Sequence, residues 1–174
     1  MPISHKFRLT VLLLALICTV GCDQTSKRMA RREPGGLSSI TLPGGFGELR
    51  LAENPGSFLN LGDSLPERLR LPLFTIGIGV GLIGLLVYLA AGCQLSWLSF
   101  GGLALVWAGG TSNWIDRLTR HGHVSDFIFL RVGPFHTGIF NVADVVIMIG
   151  ITLLAYDLWW RRHKQATKQS IKEL

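Results

Sequence analysis

The segment "TVGCDQTSK" (residues 19–27) ends the first apolar stretch of the chain and decides how many membrane spans the fold contains. A basic start, an apolar run and then Gly-Cys resemble an export signal that is cut just before Cys22. The same residues also fit the end of a permanent membrane helix, in which Asp23 and Lys27 lie one helical turn apart at the water boundary. The first alternative leaves three spans in the mature chain, and the second leaves four.

Apolar residues are concentrated in blocks along the rest of the chain. Of its 174 residues 48% are hydrophobic, and a helix needs about 20 residues to cross a bilayer. We predict an all-α integral membrane protein that forms one domain over residues 1–174. Its four transmembrane helices are expected at residues 9–25, 71–91, 95–113 and 139–160.

Two segments between these helices, residues 26–70 and 114–138, contain strand-like patterns. In the first, "SSITLPGGFGELRL" has two short alternating runs around a Pro-Gly-Gly turn, which predicts a hairpin. In the second, "HVSDFIFLRVGPF" predicts another strand. We expect both segments to pair as one small extracytoplasmic β-sheet that lies on the bilayer.

The basic residues lie between and after the apolar blocks, and the net charge is +6. This distribution favours contact with membrane phospholipids and no binding of nucleic acid. The tail, residues 161–174, is basic and follows Trp159 and Trp160, which predicts a cytoplasmic tail. Four spans then place both termini in the cytoplasm, although the total of Lys and Arg in the loops favours the opposite orientation.

Two acids stand out as candidates for chemistry. Asn141 and Asp144 are three residues apart and share one face of the fourth predicted helix. Asp126 is followed by the apolar run 127–129, and an unpaired acid in such surroundings has a raised pKa. Two such acids brought together tend to share one proton, which suits acid–base catalysis. Taken singly, Asp144 also fits a helix N-terminal charge, and Asp126 fits a loop acid.

Further polar side chains fall on the same predicted side of the membrane as the two acids. Each also fits an ordinary structural role, as a helix cap, a turn residue or an i,i+4 ion pair. They are Asp23, Lys27, Asn54, Asn113, Asp116 and Arg117. The histidines at 121, 123 and 136 match no strong metal spacing, so we expect no metal and no cofactor.

Five segments, in this order, resemble motifs of the lipoprotein signal peptidases, also called signal peptidase II. They are "DQTSK" (23–27), "NPGSF" (54–58), "SNWIDR" (112–117), "VSDFI" (124–128) and "FNVAD" (140–144). The resemblance covers the chain from about residue 8 to residue 160. Three positions depart from the family pattern. Ser112 stands where the family has Gly, and nearby Thr111 replaces a usual Ala-x pair. Phe58 follows Ser57 directly, so the family's Ala-Phe step is shortened by one residue in this chain.

The resemblance implies a membrane aspartic endopeptidase of the bacterial cytoplasmic (inner) membrane, with its active site near the outer face. Its catalytic residues would be Asp126 and Asp144. The residues that bind substrate or support the site would be Asp23, Lys27, Asn54, Asn113, Arg117 and Asn141. The implied substrate is a prolipoprotein whose cysteine carries a diacylglyceryl group, and the cut falls just before that cysteine. We expect a monomer that needs no metal.

The resemblance also bears on the opening segment. Thr19 occupies the position where a lipoprotein signal prefers Leu, so the chain is expected to keep its first helix and to have four spans. A small transporter or proton relay also fits titratable Asp126 and Asp144. The location of both acids at one interface and the lack of a visible sequence repeat favour the peptidase. An inactive relative that binds prolipoproteins without cutting them fits the same motifs.

Overall fold

Helices and one small antiparallel sheet make up the described part of the chain. The computed structural model describes residues 4–32, 39–55, 66, 68–69, 72–91 and 94–172, with side chains up to residue 166. The helices are α1 (His5–Arg32), α2 (Ile78–Ala90, continuing a π-helical segment at Pro72–Gly77), α3 (Trp97–Thr119) and α4 (Val142–Lys172). The strands are β1 (Ile40–Thr41), β2 (Gly47–Asn54), β3 (Val124–Val132) and β4 (Phe135–His136).

Three of the described helices are long and apolar enough to cross a membrane: His5–Arg32, Pro72–Ala90 and Val142–Ala166. Their outer faces carry exposed side chains such as Leu13, Ile83 and Ile149, as expected of surfaces that contact lipid. Of the predicted all-α integral membrane protein, the mostly helical fold with helices able to span a membrane is therefore confirmed. The predicted third span forms α3, whose 23 residues would extend about 35 Å, but α3 is not among the three helices that contain an apolar stretch of that kind. That α3 also crosses the membrane, which would give four spans in total, stays a prediction.

Helix α3 lies at the centre of the bundle and packs against the other three helices. The core contains Leu12 of α1, Leu89 of α2, and Phe100 and Trp107 of α3. Between α3 and α4 the backbones approach so closely that a Cβ on Gly150 would lie 2.5 Å from the carbonyl oxygen of Gly102. Glycine allows this contact in the same way that small residues let membrane helices pack together. The close packing fixes α4, which carries Asp144, against α3.

The sheet has the strand order β1-β2-β3-β4, and all its pairs are antiparallel. The predicted hairpin is present, since β1 and β2 are joined through a 3-10 turn at Pro43–Gly45. Gly44 and Gly45 have φ values of 84° and 72° there, which glycine adopts without steric cost. Pairing of β2 with β3 confirms that the segments before α2 and after α3 form one sheet.

A β-bulge interrupts the pairing of β2 with β3. Leu49 pairs with Ile128 and Ala52 pairs with Asp126, so β2 has one more residue than β3 between these pairs. A bulge of this kind bends the strand and redirects side chains, often beside an active site. Beyond the bulge, Asn54 at the end of β2 reaches back to Asp126.

Three helices extend beyond their predicted ends, and of these α3 continues to Thr119 instead of ending at residue 113. Helix α1 continues to Arg32 instead of ending near residue 25, because its last turns contact the sheet, where Arg31 Nη1 donates to Ser125 Oγ at 2.9 Å. Helix α4 continues to Lys172, so the basic residues after residue 160 are helical.

Candidate active site

Asp126 and Asp144 are joined through a single amide side chain. Asp126 is the third residue of β3 and is 4% exposed. Asn141 Nδ2 donates to Asp126 Oδ1 at 2.6 Å, and Asn141 Oδ1 accepts from the backbone N–H of Asp144 at 3.0 Å. The structure therefore brings together the two acids that the sequence singled out, with Asn141 between them.

Asn141 and Asp144 form a reciprocal cap at the start of α4. The side chain of Asn141 accepts from the Asp144 N–H, and Asp144 Oδ2 accepts from the Asn141 N–H at 3.1 Å. This is the geometry of a capping box, with Asn and Asp in place of the usual Ser or Thr and Glu. The cap holds the carboxyl of Asp144 in one orientation at the positive end of the helix dipole.

Two further asparagines complete the hydrogen bonding of the acids. Asn54 Nδ2 donates to Asp126 Oδ2 at 3.2 Å, and Asn113 Nδ2 donates to Asp144 Oδ1 at 2.9 Å. All these donors are neutral N–H groups. Neutral donors orient a carboxylate without the strong bias toward the charged form that a directly paired cation would impose.

The surroundings of Asp126 favour its protonated form. Burial and the nearby charge of Asp144 together raise the pKa of Asp126 from 3.8 to about 6, even though the hydrogen bonds from Asn141 and Asn54 lower it. A carboxyl with such a pKa exchanges its proton near neutral pH. Two neighbouring acids of this kind suit a mechanism in which one is protonated and the other is charged.

Beneath the two acids lies a fully buried cation. Lys27 Nζ is 2.7 Å from Asp23 Oδ2 and 2.9 Å from Asp116 Oδ2, and all three side chains are 0% exposed. Lys27 also donates to Asn113 Oδ1 at 2.9 Å. Because the amide oxygen of Asn113 faces Lys27, its NH2 group faces Asp144.

Asp23 connects α1 to the start of α4. Its Oδ1 accepts from the backbone N–H of Ala143 at 3.0 Å, and its Oδ2 accepts from the hydroxyl of Ser112 at 2.6 Å. Helices α3 and α4 cover the side chains of both Asp23 and Lys27, so the pair is buried inside the protein and not exposed to solvent. Ser112, one of the departures from the family pattern, supplies one of these hydrogen bonds.

Asp116 is the supporting residue that the predicted site omitted. It accepts from Gln24 Nε2 at 2.9 Å and from the backbone N–H of Ser125 at 3.3 Å, in addition to its pair with Lys27. The sequence did contain a signal for this role, because Asp116 follows Asn113 by three residues and therefore lies on the same face of α3.

All eight predicted site residues lie in the described part of the chain and adjoin this network. Arg117, 8% exposed, donates from Nη1 to the backbone oxygen of Asn113 at 3.5 Å. Of the "NPGSF" segment, residues 56–58 lie outside the described residues. Within the ranges that the structure describes, no group of three His, Cys, Asp or Glu side chains is arranged to hold a metal ion.

Comparison with known proteins gives consistent matches over most of the chain. The family model described as "Signal peptidase (SPase) II" matches residues 14–160, which include every site residue named above. A lipoprotein signal peptidase of Moorella thermoacetica is 34% identical over 148 residues, covering 84% of this chain and 91% of the relative. The lipoprotein signal peptidase of Aquifex aeolicus is 37% identical over 130 residues, covering 74% and 72%.

Two solved structures, both titled as bacterial membrane enzymes, share the fold. One superposes with a TM-score of 0.73 and 25% identity, covering 85% of this chain and 87% of the other. The second gives a TM-score of 0.72 at 25% identity, with coverage of 84% and 91%.

Proposed function

Because the chain belongs to the signal peptidase II family, whose members cleave signal peptides from prolipoproteins, we propose that Asp126 and Asp144 are its catalytic pair. The observation that carries the proposal is the position of Asn141, which donates to one acid and accepts from the backbone N–H of the other. This shared amide holds two carboxyls in one site, where a single proton can be distributed between them.

The pair would act as an aspartic endopeptidase. One carboxylate takes a proton from a water molecule, whose oxygen then attacks the scissile carbonyl carbon. The other acid, protonated at the start, gives its proton to the leaving amine as the C–N bond breaks. The products are a new carboxylate on the signal peptide and a free amine on the mature protein, and no covalent intermediate forms with the enzyme.

Neighbouring residues are proposed to support this chemistry. Asn54, Asn113 and Asn141 hold the carboxyl oxygens in place through the hydrogen bonds described above. Arg117 is buried beside the pair, and its charge interacts with both carboxyls. A fixed cation there would stabilise the negative charge that develops on the carbonyl oxygen.

The substrate is proposed to be a prolipoprotein whose cysteine already carries a diacylglyceryl group, and the cut to fall before that cysteine. The acids lie where α4 begins and next to the sheet, at one end of the helix bundle. A lipid-anchored substrate would hold its scissile bond at the membrane surface, at that same depth. The enzyme would act as a monomer surrounded by phospholipids.

We further propose four spans in the bacterial cytoplasmic (inner) membrane, with both termini in the cytoplasm and the site near the outer face. At the far end of α4, Trp160 stacks with Tyr156, and Lys164 lies 5.2 Å from the Trp160 ring. Aromatic residues followed by basic ones are typical of a cytoplasmic membrane interface.

Reporter fusions test this orientation. A reporter that works only in the cytoplasm should be active when it is fused after residue 174. A reporter that works only after export should be active when it is inserted within residues 35–65. The tail of α4 and the segment after α1 lie at opposite ends of the bundle in the proposed topology. Export of the C-terminal reporter would contradict it.

Incubation of the purified protein with a diacylglyceryl-modified prolipoprotein tests the proposed function. We expect one cut, just before the modified cysteine, at a rate that a metal chelator leaves unchanged, because carboxylates activate the water. Mass spectrometry of both products locates the cut, and the same prolipoprotein without the lipid serves as the control substrate. Loss of cleavage with chelator and its return on adding zinc would contradict an aspartic mechanism.

A further inference from the structure

Ser112 lies on α3 immediately before Asn113, and the proposed mechanism gives it no role. Its side chain is 0% exposed. The hydroxyl donates to Asp23 Oδ2 at 2.6 Å, and its oxygen accepts from Gln24 Nε2 at 3.4 Å. A hydroxyl has one proton to donate, and in Ser112 that proton is directed to the carboxylate of Asp23. Because the side chain is fully buried, Ser112 belongs to the interior network and does not contact a substrate.

The hydrogen bond from Ser112 adds a second donor to an oxygen that Lys27 holds only in part. The ammonium of Lys27 has three N–H donors. They are shared among the carboxylates of Asp23 and Asp116 and the amide oxygen of Asn113. An ammonium is a compact point charge with rotatable donors, so its pairing alone does not fix the plane of a carboxylate. A hydroxyl held on α3 restricts that plane, because hydrogen bonds are directional.

The orientation of Asp23 matters because its other oxygen holds the first turn of α4. Asp23 Oδ1 accepts from the backbone N–H of Ala143 at 3.0 Å. The first N–H groups of a helix have no partner within the helix, and a negative charge beside them is favoured by the helix dipole. Ala143 directly precedes Asp144. Asp23 therefore fixes the backbone from which this acid projects.

Two consecutive residues of α3 hold Asp144 in different ways. Asn113 donates directly to the carboxyl oxygen Asp144 Oδ1. Ser112 instead acts on the backbone of α4 through Asp23, which joins the two helices to α1. The family pattern has Gly at position 112, and Gly has no hydroxyl with which to make this contact. The second connection is therefore a feature of this chain.

We propose that Ser112 is a positioning residue for the cleavage reaction. Its hydrogen bond to Asp23 fixes the first turn of α4, and thereby the carboxyl of Asp144 relative to Asp126. This inference rests on the proposed function and adds to it a residue that acts on the catalytic step. Because Ser112 is buried away from the substrate, loss of its hydroxyl lowers kcat and leaves KM unchanged.

Ser112→Ala tests this role. Alanine is a better helix former than serine, so the variant should fold, but it lacks the hydroxyl. We expect kcat for a diacylglyceryl-modified prolipoprotein to fall about tenfold with KM unchanged, because a small displacement of a catalytic group slows a reaction strongly. Steady-state cleavage in detergent gives both constants, and thermal unfolding in the same detergent reports folding. Ser112→Gly removes the same hydroxyl without adding any atom, and should give the same result.

Ser99→Ala is the matched control. Ser99 is also buried on α3, and its hydroxyl also donates to a carboxylate of α4, Asp157 Oδ2, at 2.6 Å. This hydrogen bond lies at the other end of the bundle from the two acids. Ser99→Ala should lower the melting temperature about as much as Ser112→Ala does, but keep the parent's kcat and KM. Both variants lose the same kind of hydrogen bond, so the comparison separates positioning from stability.

A double variant tests whether Ser112 acts through Asp23. Asp23→Asn should lower kcat by itself, because the amide replaces the carboxylate that Ser112 orients. Adding Ser112→Ala should then lower kcat little further, since residues that act as one unit have effects that do not add. Losses that multiply in the double variant would contradict action through Asp23.

A parent-like kcat in Ser112→Ala, or a raised KM with kcat unchanged, would overturn the positioning role and leave the proposed function standing. An equal loss of kcat in Ser99→Ala would do the same, because any lost hydrogen bond between α3 and α4 would then slow the enzyme. Failure of the parent enzyme to cut the lipid-modified substrate would instead overturn the proposed function, and this inference with it.

Discussion

Asp126→Asn is expected to lower the rate of prolipoprotein cleavage by about 10²- to 10⁴-fold, the range that proton transfer by a positioned side chain contributes. Asn has nearly the same shape as Asp, so the packing around β3 should survive, but it cannot accept and return a proton. Asp144→Asn should have a loss of similar size. The measurement is single-turnover cleavage of a diacylglyceryl-modified prolipoprotein in detergent.

The same Asp126→Asn variant should be more stable than the parent at pH 8. Because the folded-state pKa of Asp126 is raised from 3.8 to about 6, the folded protein binds this proton more tightly than the unfolded chain does. Stability then falls as the pH rises from about 4 to about 6, by at most about 3 kcal/mol. Asn removes this cost, so the melting temperatures of the two proteins should be similar at pH 4, diverge between pH 4 and pH 6, and keep a constant difference above pH 6.

Asp157→Asn is the control for the measurements of cleavage rate and of stability. Asp157 lies on α4 like Asp144, but at the other end of the bundle, where it accepts from Ser96 and Ser99 and pairs with Arg161 at 2.9 Å. Its replacement should lower stability and preserve cleavage, the reverse of Asp126→Asn. Cleavage by Asp126→Asn at near the parent rate would contradict the assignment and make Asp116 the next candidate.

Lys27→Met is expected to destabilise the protein by about 3–5 kcal/mol, the cost of breaking a buried ion pair by removing one partner. Met has a similar length and fills most of the same space. It leaves Asp23 and Asp116, both 0% exposed, without their shared cation. Thermal or chemical unfolding in detergent measures the loss.

Lys6→Met is the matched control, since Lys6 lies on the same helix and is exposed. It should change stability by less than about 0.5 kcal/mol. The double variant Lys27→Met/Asp116→Asn should lose less stability than the sum of the losses of the two single variants. Asp116→Asn removes one of the two carboxylates that Lys27→Met leaves without a cation. Equal stability of Lys27→Met and Lys6→Met would contradict the importance of the buried cation.

Local patterns in the sequence were enough to predict the elements that carry the acids. The hairpin follows from alternating residues around Pro43–Gly45, and the shared helix face of Asn141 and Asp144 follows from their spacing. The chemical character of Asp126 also follows, because its apolar neighbours are adjacent in the chain. Each of these features depends on contacts within a few residues.

The surroundings of Lys27 could not be predicted in this way. Its i,i+4 pair with Asp23 is visible in the sequence, but its contact with Asn113 joins residues 86 positions apart. Whether such a pair is exposed or buried depends on which helices cover it, and spacing within one helix does not contain that information. The polar residues of α3 that build this network also explain why α3 is not among the described helices apolar enough to cross a membrane.

A register shift interrupts the strand that pairs with β3 beside Asp126. A regular strand alternates its side chains with a period of two, and the bulge between Leu49 and Ala52 breaks this alternation. Nothing in the sequence around Arg50 marks the extra residue. The position of the bulge beside Asp126 therefore became visible only from the pairing of β2 with β3.

The central claim is that Asp126 and Asp144 act as one catalytic unit, and the double variant Asp126→Asn/Asp144→Asn tests it most directly. Its single-turnover rate on diacylglyceryl-modified prolipoprotein should be little below that of either single variant, because removal of one acid already disables the shared proton. Losses that multiply, so that the double variant is slower by the product of the two single effects, would show that the acids act independently and would contradict the claim.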